Sequence, residues 1–227
     1  MNTSHAIELA KAGLSIGSIR LRPEQPFRWA SGYYMPIYND NRLLLSSWKF
    51  RALVASAFED IIHDKELQFD IIAGTATAGI PHATTLADRL HYPLVYVRGS
   101  SKGHGLQNRI EGIGSSEELS GRRVLLIEDL ISTGGSSIDA VNALRQTGAQ
   151  VDTCLAIFTY GLHKAAERFS SLQPACSCLP ILEYDQLIDI ARQNGYINEQ
   201  DQKSLFEWRP APFAWGEAHG FPPEGDK

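Results

Sequence analysis

Apolar residues follow two alternating patterns along most of this chain. The segments FDIIAG, PLVYVR, RRVLLIE, VDTCLAIFTY and SCLPIL are apolar at nearly every position. Strands with this pattern are buried on both faces, which is typical of a parallel sheet covered by helices. The segments GIPHATTLADRL, SSIDAVNALRQTG, HKAAERF and YDQLIDIARQNG instead carry apolar residues at helical spacing. The pattern therefore predicts an α/β fold with a mostly parallel central sheet flanked by helices.

The first part of the chain has a different pattern. A helix is predicted from Ser4 to Leu14, and Ser47 is placed to cap a longer helix with a single apolar stripe. Between these helices, prolines and a glycine break the chain into short extended pieces. We therefore expect a small N-terminal unit ahead of the main sheet, within one domain that spans residues 1–227.

The composition restricts the possible functions. The chain has 227 residues, 43% hydrophobic and 21% charged, which is typical of a packed globular domain. Its formal net charge of −5 argues against a nucleic-acid partner, because such binding requires a large basic surface. No apolar run reaches membrane-spanning length, and the N-terminus lacks the pattern of a secretory signal. Cys154, Cys176 and Cys178 contain no CxxC pair, so we expect reduced thiols in a cytoplasmic protein.

The stretch VLLIEDLISTGGSS, residues 124–137, joins a predicted strand to a predicted helix. Glu128 and Asp129 follow the apolar run, at the end of the strand where α/β sheets bind ligands. Residues 132–136 bring hydroxyls and glycines to the helix start, where free N–H groups bind anions. With a phosphate bound there, the two carboxylates can accept hydrogen bonds from sugar hydroxyls. The alternative is a helix cap with two exposed acids, which is a common arrangement.

Two further segments are rich in glycine. AGTATAGIPHA has the glycine spacing of a Walker loop, but Ile80 and Pro81 lie where that loop requires Lys and Ser or Thr. Residues 99–121 join two predicted strands and carry Lys102 and His104 between glycines, in KGHG. A connection of this length is typical of a flexible lid over a functional site, although a solvated loop is the alternative.

These motifs resemble those of one enzyme family. VLLIEDLISTGGS resembles the phosphoribosyl-pyrophosphate motif of the type I phosphoribosyltransferases. FRWASGYYMPIYNDNR, AGTATAGIPHA and VRGSSKGHGLQNRIEG resemble the N-terminal segment, the pyrophosphate loop and the mobile catalytic loop of orotate phosphoribosyltransferases. The resemblance continues through IFTYGL to Trp208, Pro212 and Trp215, so it extends over nearly the whole chain.

The resemblance implies a reaction and a set of site residues. The family transfers the phosphoribosyl group from phosphoribosyl pyrophosphate to orotate, with Mg²⁺, and forms orotidine 5′-phosphate and pyrophosphate in pyrimidine biosynthesis. The catalytic residues implied are Lys102, His104 and Asp129. The residues implied to bind phosphoribosyl pyrophosphate are Arg98, Lys102, His104, Glu128, Asp129, Leu130, Ile131, Ser132, Thr133, Gly134, Gly135 and Ser136.

The resemblance also implies how the base, the metal and a second subunit take part. Orotate is expected to lie against Ser132 and Arg42, beneath a hood formed by about residues 1–45. Mg²⁺ prefers substrate oxygens and water, so we expect no metal site built from protein ligands alone. The partners implied are orotate, phosphoribosyl pyrophosphate and a second copy of the chain, in a homodimer with shared active sites.

The chain lacks basic residues at three positions where some members of the family carry them. Gly99 and Ser100 occupy the region where members often carry an extra lysine, and Ala30 replaces a lysine before SG. TYGLHK lies where some members bring an arginine to the base. The cation that neutralises the orotate carboxylate is therefore open. The candidates are Arg42 first, then Arg28 and Lys164.

Three other functions fit the sequence less well. A transcription regulator that senses phosphoribosyl pyrophosphate would need a basic DNA-binding domain, for which the chain leaves no room before Ile19. The SG segment argues against an enzyme of the same fold that acts on purines. The length of the chain excludes a fused orotidylate decarboxylase.

Overall fold

A computed structural model describes residues 3–99, 109–114 and 116–223. Within these ranges the helices are α1 (Thr3–Ile16), α2 (Trp48–Asp64), α3 (Gly79–Leu90), α4 (Gly135–Arg145), α5 (His163–Ser170), α6 (Tyr184–Gln193), α7 (Glu199–Trp208) and α8 (Pro212–Ala218). The strands are β1 (Ile19–Leu21), β2 (Phe27–Arg28), β3 (Tyr34–Met35), β4 (Ile37–Asn39), β5 (Ile71–Thr75), β6 (Leu94–Val97), β7 (Ile110–Glu111), β8 (Arg123–Ile131), β9 (Gln150–Thr159) and β10 (Ser177–Glu183). Short 3₁₀ helices span Asn41–Ser46 and Ser116–Leu119.

The main sheet has six strands in the order β10-β9-β8-β5-β6-β7. From β10 to β6 every neighbouring pair is parallel, and the short edge strand β7 runs antiparallel to β6. The sheet therefore confirms the predicted fold class. Its order places β8 and β5 at the centre, so that the segments following these two strands lie side by side.

Helices cover both faces of this sheet. Leu125 and Ile127 of β8 pack in a cluster with residues of α1, α2, α3 and α6. Val124 and Leu126 of the same strand pack in a second cluster with residues of α4 and α5. Because successive strand residues point to opposite faces, burial on both faces requires the unbroken apolar run of residues 124–127 in β8.

The N-terminal unit consists of two small antiparallel pairs, β1 with β4 and β2 with β3. The 3₁₀ helix that follows them leads directly into α2. Ser47 caps α2, as predicted, because its side chain accepts a hydrogen bond from the backbone N–H of Lys49. The assignment of about residues 1–45 to a base-binding hood, and of residues 1–227 to one domain, stays a prediction.

The fold differs from the sequence prediction in three places. Strand β8 continues to Ile131, so the acid pair lies within the strand rather than at its end; Leu130 and Ile131 still pair with β9. Strand β7 lies in a segment predicted to be loop. The helices α7 and α8 were not predicted. Residues 100–108 and 115, in the expected catalytic loop, lie outside the described residues.

The C-terminal helices bring two of the four tryptophans into the core. Trp208 donates a hydrogen bond from Nε1 to Sδ of Met35 at 3.1 Å, and Trp215 donates one to the backbone oxygen of Ser204 at 3.1 Å. Both indoles are buried, as expected, whereas Trp48 is 67% exposed. The three cysteines are free thiols. In the part of the chain that the structure describes, no helix is both long and apolar enough to cross a membrane.

Candidate functional site

Three strands of the main sheet end side by side and carry predicted site residues there. Gly74 pairs with Ile127, and Thr75 pairs with Val97. The loop of residues 76–78 after β5, Arg98 after β6 and the acid pair of β8 therefore meet at one edge of the sheet, because parallel strands share their carboxyl ends. This edge is the candidate active site.

Two glycines allow the start of α3 to lie close to the central strands β5 and β8. A Cβ atom on Gly79 would lie 2.6 Å from the backbone oxygen of Ile127, and one on Gly74 would lie 2.9 Å from Cα of Ile80. Both distances are shorter than the contacts that Cβ atoms make in proteins, so only glycine permits this approach. The start of α3 therefore lies directly beside the acid pair. His82 is buried in the first turns of this helix.

Glu128 is the buried member of the acid pair, with 4% of its surface exposed. Its Oε2 accepts a hydrogen bond of 3.0 Å from Oγ of Ser137 in α4, and its Oε1 accepts one of 3.1 Å from the backbone N–H of Asp129. Burial, and after it the charge of Asp129, raises the pKa of the Glu128 carboxyl. The Glu128 carboxyl is thus held in place by two hydrogen bonds, and it binds a proton at higher pH than an ordinary glutamate does.

Asp129 is only half-buried, so its carboxylate is the one that a ligand can reach. Its backbone oxygen accepts a hydrogen bond of 2.7 Å from Nδ2 of Asn41. Burial raises the pKa of the Asp129 carboxyl, and the charge of Asp40 adds to this effect. Asp40 and Asn41, which directly follow the N-terminal unit, therefore lie close to the acid pair.

The segment of residues 132–136, which was predicted to cradle a phosphate, leads from β8 into α4. Helix α4 begins at Gly135, just before the predicted helical segment SSIDAVNALRQTG, because Gly134 acts as the N-cap with φ of 76°. Such a positive φ favours glycine. The backbone N–H groups of the first helical turn have no partners within the helix, which makes this terminus a suitable site for an anion.

The two predicted binding residues at the end of β8 have different surroundings from the cradle. Ile131 is buried in the core, and Leu130 is half-buried against it. The backbone oxygen of Ile131 accepts hydrogen bonds from the N–H of Tyr160 and Oγ1 of Thr159. The side chains of Leu130 and Ile131 therefore pack within the fold, and any contact of these two residues with a ligand would involve their backbone.

Arg98 lies at the site but has a partner of its own. Its Nη1 is 3.1 Å from Oε1 of Glu111. Its backbone oxygen accepts hydrogen bonds from the guanidinium of Arg109, which also forms an ion pair with Asp139 of α4. The sequence analysis missed Arg109, because nothing in the sequence indicates which carbonyl and which carboxylate it meets.

Arg42 lies close to the acid pair but is held by Asp40. Its Nε is 2.7 Å from Oδ1 of Asp40, and its Nη2 is 2.8 Å from Oδ2. This bidentate pair holds the pKa of Asp40 below its ordinary value, and the charge of Asp129 also acts on Arg42. The two other candidates for the orotate carboxylate, Arg28 and Lys164, are exposed.

Several predicted residues cannot be placed in this geometry. Lys102 and His104 lie outside the described residues, so their roles stay predictions. Within the described ranges, no cluster of three or more His, Cys, Asp or Glu side chains is arranged to hold a metal ion. Asp129 nevertheless supplies a reachable carboxylate of the kind that Mg²⁺ accepts beside substrate oxygens and water.

Comparison with known proteins identifies the family. The family model of the phosphoribosyl transferase domain matches residues 44–182. The chain is 48% identical over 201 residues to orotate phosphoribosyltransferase of Staphylococcus saprophyticus, an alignment covering 88% of this chain and 96% of that protein. The solved structure of the Aeropyrum pernix orotate phosphoribosyltransferase matches with a TM-score of 0.68 and 26% identity, over 84% of this chain and 99% of that chain. UMP synthase of Leishmania donovani matches with a TM-score of 0.72 and 27% identity, over 89% of this chain but only 42% of that longer chain. The chain therefore belongs to the orotate phosphoribosyltransferases of the phosphoribosyl transferase family.

Proposed function

We propose that the chain transfers the phosphoribosyl group of phosphoribosyl pyrophosphate to orotate and forms orotidine 5′-phosphate and pyrophosphate. The observation that carries the proposal is the position of Asp129. Its half-buried carboxylate lies on β8 three residues before the segment of residues 132–136, and β8 pairs with β5, which leads into the loop of residues 76–78. The relatives reported above are named for this activity.

The acid pair suits the chemistry of the sugar. In the reaction, the bond from the anomeric carbon to pyrophosphate breaks and a bond from that carbon to N1 of orotate forms, with loss of the N1 proton. The sugar develops positive charge while the bond breaks, and a nearby carboxylate stabilises that charge. Asp129 can accept hydrogen bonds from the ribose hydroxyls, whereas Glu128, tied to Ser137, fixes the end of the strand.

The leaving pyrophosphate gathers negative charge and needs cations. Arg98, Lys102 and His104 are the proposed cations, and Arg98 would have to exchange Glu111 for the ligand. Asp129 is the residue proposed to contact Mg²⁺, directly or through water. When bound, the ion supplies charge that neutralises the pyrophosphate oxygens.

Orotate is proposed to lie between Ser132 and the N-terminal unit. Arg42 is the proposed partner of its carboxylate, because Arg42 already forms the planar bidentate geometry that a carboxylate requires. Two of the guanidinium nitrogens are occupied by Asp40, so orotate would share Arg42 with Asp40 or displace it. An Arg42→Leu substitution should therefore raise KM for orotate more than KM for phosphoribosyl pyrophosphate.

A homodimer with shared active sites and a cytoplasmic location are parts of the same proposal. Two exposed apolar side chains near the start of α2 support the dimer, since Trp48 is 67% exposed and Leu43 is 42% exposed. The three free thiols support a reducing compartment. Sedimentation equilibrium would test the dimer, and a monomer at assay concentration would contradict it.

A substrate assay tests the proposed reaction. Loss of orotate absorbance should require both phosphoribosyl pyrophosphate and Mg²⁺, and should stop when EDTA is added. Adenine, hypoxanthine and uracil serve as competing bases in parallel reactions. Preferential turnover of any of these bases, or turnover that is unchanged in EDTA, would contradict the proposal.

A further inference from the structure

Arg168 in α5 is bonded to the phosphate cradle and was not found by the sequence analysis. Its Nη1 lies 2.8 Å from the backbone oxygen of Thr133 and 3.2 Å from Oγ1 of the same residue. One guanidinium nitrogen thus holds both the main chain and the hydroxyl of a single loop residue. The remaining donors, Nε and Nη2, form no hydrogen bond to the described part of the protein.

Two glycines of the cradle create the space for this arrangement. A Cβ atom on Gly135 would lie 3.1 Å from Nη1 of Arg168, so the guanidinium lies against the bare backbone of that residue. A Cβ atom on Gly134 would lie 3.5 Å from Cα of Ala165 and 3.5 Å from Cε2 of Phe169. One side of α5 therefore contacts the loop through a charged group and through apolar groups.

The charge of Arg168 is not neutralised by its neighbours. In residues 3–99, 109–114 and 116–223, no carboxylate forms an ion pair with Arg168. Its side chain is half-buried, so this positive charge is less screened than one on an open surface. The segment that it holds is the one whose free N–H groups suit an anion. A cation fixed beside such a segment increases its attraction for phosphate.

We propose that Arg168 is a positioning residue for the 5′-phosphate of the substrate. It holds residues 133–135 in their anion-binding shape before the ligand arrives, and its unneutralised charge raises the affinity of that segment for a phosphate monoester. It acts on the affinity for the phosphorylated sugar and leaves the reacting anomeric carbon untouched. This inference rests on the proposed function, because it takes residues 132–136 as the site of the 5′-phosphate.

The test measures the binding of ribose 5-phosphate to four proteins by calorimetry. They are the wild type, Arg168→Met, Arg168→Lys and the control Arg192→Met, which removes an exposed arginine from α6. Arg168→Met should weaken binding on the order of tenfold to hundredfold, the range expected for loss of charge-assisted hydrogen bonds. Arg168→Lys should recover part of the affinity, because lysine keeps the charge but not the fork geometry. The control should bind like the wild type.

Steady-state kinetics separate positioning from a general structural effect. In Arg168→Met, KM for phosphoribosyl pyrophosphate should rise by about the same factor as the dissociation constant for ribose 5-phosphate. At the same time, kcat and KM for orotate should stay within about threefold of wild type. If kcat falls and both KM values rise by similar factors, and the melting temperature is also lower, the inference is overturned. If Arg168→Met does not fold, Arg168→Gln takes its place with the same expected result.

The outcomes also distinguish this inference from the proposed function. Wild-type protein that binds ribose 5-phosphate, with an Arg168→Met variant that binds it equally well, would refute the role of Arg168 alone. Wild-type protein that does not bind ribose 5-phosphate at all would refute the placement of the 5′-phosphate and, with it, the role of Arg168.

Discussion

Asn41 donates a hydrogen bond of 2.7 Å from its side chain to the backbone oxygen of Asp129, across 88 residues of sequence. Asn41 is 2% exposed and begins the 3₁₀ helix between the N-terminal unit and α2. The bond fixes the N-terminal unit against the strand that carries the acid pair. The arrangement of the candidate site therefore depends on a residue that has no place in the reaction itself.

Asn41→Ala should reduce both stability and turnover. The substitution leaves the Asp129 oxygen without its buried partner, which costs about 1–3 kcal/mol in the free energy of unfolding. Because the strand end can then shift, kcat should fall on the order of tenfold. Asn142→Ala is the control, since Asn142 is exposed in α4, and it should change neither quantity. Wild-type kcat in folded Asn41→Ala protein would show that the bond does not position the acid pair.

Glu128→Gln should stabilise the protein at alkaline pH and impair catalysis. Burial raises the pKa of Glu128 above its ordinary value of 4.5, so the folded state keeps its proton longer than the unfolded state. The contribution of Glu128 to stability is therefore fully present below pH 4.5 and is lost as the pH rises toward the folded pKa. The glutamine amide oxygen can accept the hydrogen bond from the backbone N–H of Asp129, and the amide N–H can donate to Oγ of Ser137, so that both contacts persist without the charge.

Urea unfolding measured from about pH 5 to about pH 8 tests this prediction. The free energy of unfolding of the variant should exceed that of the wild type by about 1–3 kcal/mol at about pH 8, and the difference should shrink toward about pH 5. A difference that is constant across the range would contradict a raised pKa. Turnover at the upper end should fall, because the carboxylate charge beside the sugar is lost.

The central sheet could be predicted from sequence, because a strand that is buried on both faces has a continuous run of apolar residues. The helix GIPHATTLADRL has the predicted bounds, Gly79–Leu90. The acids within β8 could not be placed in this way, since whether a strand continues past two carboxyls depends on pairing with β9. Helix α7 had a local signal, a capping box between Asn198 and Asp201, but its sequence lacks a clear apolar stripe.

The candidate site was predictable only where its chemistry lies in contiguous residues. The stretch of residues 128–136 carries acids, hydroxyls and glycines together, so its role can be inferred from type and spacing. Asn41, Arg109 and Arg168 act through bonds to backbone oxygens. Every residue has such an oxygen, so neither partner of these bonds has a sequence signal. These contacts become visible only once the chain is folded.

Gly79→Ala should destabilise the protein much more than Gly135→Ala. Each glycine is the first residue of a helix that follows a central strand. The new Cβ at Gly79 would lie 2.6 Å from the backbone oxygen of Ile127, which cannot move without disrupting β8. The new Cβ at Gly135 would lie 3.1 Å from Nη1 of Arg168, a side-chain atom that needs to move by only a few tenths of an ångström.

Thermal or urea unfolding of the two variants provides the measurement. We expect Gly79→Ala to lose about 1–3 kcal/mol or more, as in overpacked cores. Gly135→Ala should stay within about 1 kcal/mol of wild type, because alanine also favours the helix. Similar losses in both variants would show that the start of α3 can move away from β8, contrary to the close approach described above.

Lys102 is predicted to act in the active site of the neighbouring subunit. An ammonium stabilises the leaving pyrophosphate only when it lies within a few ångströms of it. Lys102→Ala should therefore raise the barrier by roughly 3–4 kcal/mol, as does loss of one preorganised donor. Asp129→Asn should lower kcat on the order of tenfold to a thousandfold. Both homodimers should thus be far less active than the wild type, and they are the starting material for a complementation test.

A hybrid dimer of the two variants distinguishes the neighbour's site from the subunit's own. If Lys102 acts across the interface, one site of the hybrid combines an intact Asp129 with the partner subunit's intact Lys102, and the other site lacks both. Two-fold symmetry then requires about half of wild-type activity per dimer. The matched control pairs a wild-type subunit with a subunit that carries both substitutions; each of its sites has one defect, so it should stay inactive. If Lys102 serves its own subunit, the results reverse, with an inactive hybrid and a half-active control.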